Sequence, residues 1–153
     1  MSSKILLVAL DATDYGLFRQ LERKGLLPTL SMLLRRGQPN RVTTPNDLTD
    51  DSLWASFHYA CSPGEHGRYF WKRDTATSGR YQMLTQGEES LRPFWESLAA
   101  KGARTAIFDL PKTKVTALPK GLHLTNWLVH GRYGYDAKSW PADLAKEVVL
   151  TFG

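Results

Sequence analysis

A short apolar run near the start of the chain limits the choice of fold more than any other feature. Every residue from Ile5 to Leu10 is apolar, and Asp11 ends the run. A continuous apolar segment of this length is typical of a strand that is covered on both faces, as in the centre of a parallel sheet. We therefore expect residues 4–10 to form a central strand.

Asp11 is expected to follow the carboxyl end of that strand, the edge at which open α/β sheets bind their ligands, and the same rule points to Asp109 and to the loop leading into Thr49. A carboxylate held by a rigid strand is a suitable ligand for a hard or borderline divalent metal ion. The alternative is that Asp11 bonds to the backbone of the turn that follows it, as Asp and Asn often do.

Apolar spacing, Gly and Pro positions and N-cap residues predict the remaining elements. The predicted helices span residues 16–24, 29–36, 50–59, 93–101 and 139–150. The predicted strands span residues 41–44, 68–73, 80–85, 105–110 and 122–124, and the pair between 68 and 85 forms a small hairpin. Strands that alternate with helices in this way indicate an α/β fold, with a parallel-rich sheet and helices on both of its faces.

The predicted helix at 50–59 begins with residues that could carry out chemistry. Thr49 is a good N-cap, and Asp50 and Asp51 fall in the first turn, where the helix dipole favours negative charge. A hydroxyl at a helix N-terminus also lies where backbone N–H groups can bind a phosphoryl group. The alternative is that Thr49 is a plain N-cap without a chemical role.

Residues 63–67, Pro-Gly-Glu-His-Gly, form a predicted turn after this helix. His66 could be a metal ligand or a proton donor, although a histidine that fixes a turn through backbone hydrogen bonds is the commoner case. The four histidines lack the spacing of a metal motif, and Cys61 has no Cys-x-x-Cys partner.

Length and composition predict one soluble domain spanning residues 1–153. A net charge of +5 suits anionic partners. The cations are scattered, which disfavours a nucleic-acid footprint. The single cysteine allows no intramolecular disulfide, and no run approaches the roughly 18 apolar residues of a membrane span. We expect a cytoplasmic protein that has no membrane partner.

Taken in order, several segments resemble the type I phosphodiesterase/nucleotide pyrophosphatase family of the alkaline phosphatase superfamily. They are KILLVALDATD, KGLLPTLSMLLRRG, LTDDSLWASF with SPGEHGRYF, RPFWESLAAKGARTAIFDLPKT, and SWPADLAKEVVLTFG. The resemblance covers nearly the whole chain. It implies an alkaline-phosphatase-like sheet and hydrolysis of small phosphodiester or phosphomonoester substrates.

The resemblance also implies two divalent metal ions, commonly zinc, and a Thr or Ser that takes up the phosphoryl group. Asp11 would be the first metal ligand. Aligned without a gap, Asp50 falls at the family's hydroxyl position and could itself be a ligand. A shift of one residue brings Thr49 to that position, where it would be the nucleophile and a metal ligand. Ser52 is the other nearby hydroxyl that could be the nucleophile.

The chain departs from the family pattern in two respects. Tyr59-Ala60 stands where the family has Thr-Gly, and no later segment matches the family's Asp-x-x-x-His, Asp-His or final His ligands. We therefore expect the N-terminal portion of a longer catalytic domain, inactive when isolated. Its sheet would be incomplete on the C-terminal side, with an uncovered edge through which chains could self-associate. The alternative is a non-catalytic α/β domain that binds an anion or a nucleotide.

Overall fold

The computed structural model describes residues 4–70, 72–75, 80–83, 91–127 and 136–152, with the backbone alone for 73–75 and 80–83. The chain falls into two compact units, residues 1–43 and 44–153. The expectation of a single domain stays a prediction.

The first unit contains helices α1 (Tyr15–Arg23) and α2 (Pro28–Arg36). Asp14 caps α1, because its Oδ1 accepts a hydrogen bond from the Leu17 N–H at 2.7 Å. Pro28 opens α2, at the position where its missing N–H costs nothing. Both helices lie within one residue of the predicted boundaries.

The predicted strand at residues 4–10 is wrong for this structure, since the segment has no regular secondary structure. Its apolar side chains are exposed, from 92% for Ile5 to 50% for Leu10. A strand exists only when neighbouring strands accept its backbone hydrogen bonds, and the described part of the first unit contains no strand. The predicted strand at 41–44 is wrong for the same reason.

The second unit is organised around a three-stranded sheet of β3 (Ala106–Phe108), β4 (Leu122–Thr125) and β5 (Lys138–Trp140), in the order β3-β4-β5. Strands β3 and β4 are parallel, with Ile107 opposite His123. Strand β5 runs antiparallel to β4, with Ser139 opposite Leu124. The fold is therefore mixed α/β, as predicted, but the described residues contain one parallel pair rather than a parallel-rich sheet.

Helices α3 (Asp50–Tyr59), α4 (Pro63–His66), α5 (Phe94–Ala100) and α6 (Leu144–Phe152) complete this unit. Trp95 of α5, Ile107 of β3 and Leu118 form a buried cluster beside the sheet. The bounds of α3 are those predicted, and α5 lies one residue inside its predicted limits at each end. No helix in the described ranges is long and apolar enough to span a membrane.

A two-stranded antiparallel hairpin, β1 (Lys72–Thr75) with β2 (Arg80–Met83), confirms the predicted hairpin between 68 and 85. The predicted helix from residue 139 is wrong at its start. Residues 138–140 instead form β5, because the edge of β4 offers them backbone partners. Ser139 then accepts a hydrogen bond on Oγ from the Ala145 N–H at 2.7 Å, near the start of α6.

Candidate functional site

Thr49 lies at the N-terminal end of α3, half-buried, as the sequence predicts. Its hydroxyl does not cap the helix. Thr49 Oγ1 instead donates a hydrogen bond to the Tyr69 carbonyl oxygen at 3.0 Å, and its N–H contacts the same oxygen at 3.4 Å. These two contacts with the Tyr69 carbonyl oxygen fix the orientation of the Thr49 hydroxyl at the N-terminus of α3.

Asp51, in the first turn of α3, is buried and is held between two cations. Its Oδ1 accepts from the Arg68 guanidinium at 3.2 Å, and its Oδ2 lies 2.8 Å from Lys112 Nζ. Arg68 is also buried, at 5% exposure. A buried carboxylate is tolerated when cations and hydrogen bonds compensate its lost hydration, so Asp51 is a structural anchor of this end of the helix.

Lys112 reaches the same helix end from the turn that follows β3. Its Nζ lies 2.7 Å from Asp50 Oδ2 as well as contacting Asp51. Pro111 and Lys112 occupy the two centre positions of this turn, and Lys112 has φ +58°. Residues other than glycine seldom adopt a positive φ, at a cost of order 1–3 kcal/mol. The strained residue is the one whose ammonium contacts both the Asp50 and the Asp51 carboxylates.

Lys112 was not among the functional residues expected from the sequence. A signal existed, since residue 112 comes shortly after a predicted strand, at the carboxyl edge where α/β sheets bind ligands. That rule pointed to Asp109 and to the loop before Thr49. The structure brings the loop after β3 to the N-terminus of α3, but the contact is made by Lys112.

The charges at this helix end are balanced but not equally accessible. Asp50 and Asp51 face the cations of Arg68 and Lys112, so the formal charges cancel and the positive end of the helix dipole remains. The Asp50 side chain is 57% exposed, whereas that of Asp51 is 5% exposed. An exposed ion pair contributes little to stability, so an incoming anion can compete with Asp50 for Lys112.

Ser52, the second predicted hydroxyl, is fully buried in the first turn of α3. Among the residues that the structure describes, its Oγ has no hydrogen-bond partner. A hydroxyl in this position cannot meet a substrate from solvent without a change in the packing around it. The geometry therefore favours Thr49 over Ser52 as a nucleophile.

His66 fixes the turn after α3. Its Nδ1 accepts a hydrogen bond from the Arg68 N–H at 3.0 Å, which leaves the proton on Nε2. The Nε2–H then donates to Ser56 Oγ at 2.9 Å. In this tautomer His66 cannot act as a base toward Ser56. Its hydrogen bonds are those of a histidine that fixes a turn, the alternative that the sequence favoured.

The Cys61 thiol lies close to Glu65. Burial, followed by the negative charge of Glu65, raises the pKa of the Cys61 thiol. Hydrogen bonds from the Ser62 hydroxyl and N–H lower the pKa of Glu65. A thiol with a raised pKa is mostly protonated at neutral pH and is a poor nucleophile.

Asp11 and Asp109, which both come at predicted strand ends, engage the backbone. Asp11 Oδ1 accepts from the Ala12 N–H at 3.0 Å, the turn-capping alternative for this residue. Asp109 Oδ1 accepts from the Trp127 N–H at 3.0 Å. Asp11 belongs to the first unit and Thr49 to the second. The role of Asp11 as a metal ligand stays a prediction.

The donor set at the end of α3 does not fit two metal ions. Among the described residues, no three His, Cys, Asp or Glu side chains lie close enough together to hold an ion. The Asp50 carboxylate, expected as a ligand, contacts the Lys112 ammonium. A cation there would face an existing positive charge, so the arrangement suits an anion better than a metal ion.

Comparisons of the chain with models of known protein families, with curated proteins and with solved structures give no match. The resemblance to the phosphodiesterase family therefore stays a prediction from the sequence.

Proposed function

We propose that this chain carries the phosphoryl-binding part of a phosphoester hydrolase, at the N-terminus of α3. One observation carries the proposal: the turn after β3 places Lys112 Nζ 2.7 Å from the exposed carboxylate of Asp50, beside the hydroxyl-bearing end of the helix. An ammonium, a hydroxyl and the N–H groups of a helix terminus are together the groups that bind and attack a phosphoryl group.

Binding would proceed by exchange of one anion for another. A phosphoryl oxygen displaces Asp50 from Lys112, while Asp51 keeps its contacts with Arg68 and Lys112 and holds the helix end in place. The Asp50 and Asp51 N–H groups at the start of α3 add hydrogen bonds to the bound oxygens, whereas the Ser52 N–H already donates to the Thr49 carbonyl oxygen at 3.0 Å. The substrate class is a small phosphate ester, because one ammonium and one helix terminus can recognise a single phosphoryl group.

The chemical step assigned to Thr49 is nucleophilic substitution at phosphorus. A bond forms between Thr49 Oγ1 and phosphorus as the bond from phosphorus to the leaving alcohol breaks, and the hydroxyl proton passes to solvent. Water then hydrolyses the phosphothreonine ester and regenerates Thr49. No step is assigned to a metal ion, because the described donor set does not fit one.

The proposal includes the finer architecture implied by the resemblance. The sheet would be alkaline-phosphatase-like and parallel-rich, with helices on both of its faces. The protein would be cytoplasmic, and residues 4–10 would be covered by a further partner. The exposure of Ile5 supports the need for a further partner for this segment.

A second candidate is a non-catalytic domain that binds phosphate esters at the same helix terminus. The contact of Thr49 Oγ1 with the Tyr69 carbonyl oxygen favours it, since a carbonyl oxygen orients a hydroxyl without accepting its proton. In this case the chain binds an anion and releases it unchanged.

A single-turnover experiment separates the two candidates. The full chain is incubated with bis(p-nitrophenyl) phosphate, with and without added zinc, and the release of p-nitrophenol is compared with the mass of peptides around residue 49. The hydrolase predicts a phosphoryl adduct on Thr49, lost in T49A and retained in T49S. S52A is the matched control and should behave as the wild type. Equal adduct formation in T49A would contradict the proposed nucleophile.

A further inference from the structure

His123 on β4 is a buried histidine, and the proposed chemistry does not use it. Its side chain is 0% exposed and packs edge to face against Trp95, with ring centroids 5.9 Å apart. It lies opposite Ile107 in the parallel pair. A buried imidazole needs partners for both ring nitrogens, and both partners of His123 belong to the loop after β3.

The hydrogen bonds fix its tautomer. The Thr116 N–H can only donate, and it donates to His123 Nδ1 at 3.1 Å. The ring proton of the neutral imidazole must then be on Nε2, which lies 3.3 Å from Thr113 Oγ1. His123 therefore accepts a hydrogen bond from Thr116 and donates one to Thr113, three residues earlier in the same loop.

The hydrogen bond between His123 and Thr113 is connected to Lys112 through the turn that contains both Lys112 and Thr113. Because Thr113 Oγ1 accepts from His123, its own proton is available to two acceptors, the Leu110 carbonyl oxygen at 3.0 Å and Thr125 Oγ1 at 3.3 Å, of which the Leu110 oxygen is the nearer. The bond to Leu110 closes residues 110–113, the turn that contains Lys112 at φ +58°. A strained turn keeps its conformation only when the surrounding contacts over-determine it.

We propose that His123 is a positioning residue, which holds the turn at residues 110–113 through Thr113 and so places the Lys112 ammonium at the N-terminus of α3. The importance of that placement rests on the proposed function, but the placement itself is measurable without any ligand. Burial lowers the pKa of His123 to about 4, so the neutral form that this arrangement needs is the one present at neutral pH.

Two substitutions distinguish the contact of His123 with Thr113 from its contact with Thr116. In H123Q the side-chain amide N–H can replace the Nε2–H that Thr113 accepts, whereas in H123N the amide oxygen can replace the Nδ1 that faces Thr116. Only the contact with Thr113 holds the turn that contains Lys112. A purely structural role for His123 predicts that the two variants affect Lys112 to the same degree.

The readout is the rate at which an amine-specific acylating reagent modifies Lys112, measured by mass spectrometry on the full chain and normalised to the exposed Lys101. We expect slow labelling of Lys112 in the wild type and in H123Q. Labelling should be about fivefold faster in H123N, because the hydrogen bond between residue 123 and Thr113 is lost. Equal labelling of Lys112 in H123N and the wild type would overturn the proposal, as would labelling of H123Q as fast as H123N.

A measurement on the wild-type protein covers the case in which H123N does not fold. The nitrogen chemical shifts of His123 in an NMR spectrum at neutral pH report which ring nitrogen carries the proton. The proposal requires the Nε2–H tautomer, and an Nδ1–H tautomer would overturn it. Failure of phosphate to bind at α3 would contradict the proposed function and leave both of these results standing.

Discussion

The Lys112 ammonium lies 2.8 Å from the Asp51 carboxylate, so the turn after β3 is joined to the first turn of α3 by a largely buried ion pair. Asp51 is also 3.2 Å from Arg68, at the end of the segment that follows α4. One buried carboxylate thereby connects three segments of the second unit, and the stability of the site depends on it.

Replacing each of the two neighbouring aspartates should therefore have very different effects. D51N removes the charge that balances buried Arg68, and we expect a loss of about 3 kcal/mol in the free energy of unfolding. D50N removes an exposed carboxylate and should cost at most about 1 kcal/mol. Urea denaturation of both variants at neutral pH measures the difference, and similar losses for D50N and D51N would contradict the assigned burial.

Lys112 combines a stabilising side chain with an unfavourable backbone conformation. K112A loses the ion pairs but keeps a Cβ at φ +58°, whereas K112G loses the ion pairs and relieves the strain. We expect K112G to be more stable than K112A by about 1 kcal/mol, although both are less stable than the wild type. Thermal or urea unfolding compares them, and a K112A variant more stable than K112G would show that the turn is not strained.

The stability of the protein should fall in mild acid because of His123. The pKa of His123 is about 4 in the folded chain, against an ordinary value of 6.5. Between these values the unfolded chain binds the proton more readily, so the contribution of His123 is complete above the upper value and is lost as the pH falls toward the lower one. By linkage the loss is at most about 3 kcal/mol.

The control for this prediction is H123Q, which has no titrating group at this position. The difference in unfolding free energy between the wild type and H123Q should become less favourable to the wild type between about pH 7 and about pH 4. A difference that stays constant over this range would mean that His123 titrates alike in the folded and unfolded chain.

Gly121 allows the start of β4 to approach β3 closely. A Cβ at this position would lie 1.9 Å from the Thr105 carbonyl oxygen, which accepts the Leu122 N–H at 3.1 Å. G121A should therefore displace the backbone and destabilise the fold by about 2 kcal/mol or more. G64A is the control, since its Cβ would meet only Ser62 Oγ at 3.9 Å. Equal melting temperatures for the two variants would contradict this packing.

Local signals in the sequence were sufficient for some elements. The bounds of α3 follow from a threonine at the N-cap position and two acidic first-turn residues, and those of α1 from the apolar spacing and the glycine after it. These signals lie within a few residues of the element that they define. The core position of Trp95 could not be derived as simply, because it depends on Leu118 and Ile107, which come later in the chain.

Other features depend on partners that the local sequence does not specify. Residues 138–140 form a strand because β4 offers an edge, and residues 4–10 lack one in spite of a strong apolar pattern. Lys112 meets Asp50 across 62 positions of the chain, a distance at which spacing carries no information. The sequence could therefore identify Thr49 and Asp50 as candidates, but not the cation that accompanies them.

Titration of the full chain with inorganic phosphate, followed by NMR on the backbone N–H groups of Asp50 and Asp51, tests the central claim most directly. We expect saturable shifts of these two resonances in the wild type and weaker binding in K112G. Binding should be about fivefold tighter in D50N, because the competing carboxylate is gone. The absence of saturable shifts in the first turn of α3, or weaker binding in D50N than in the wild type, would contradict the assignment of this helix end as a phosphoryl site.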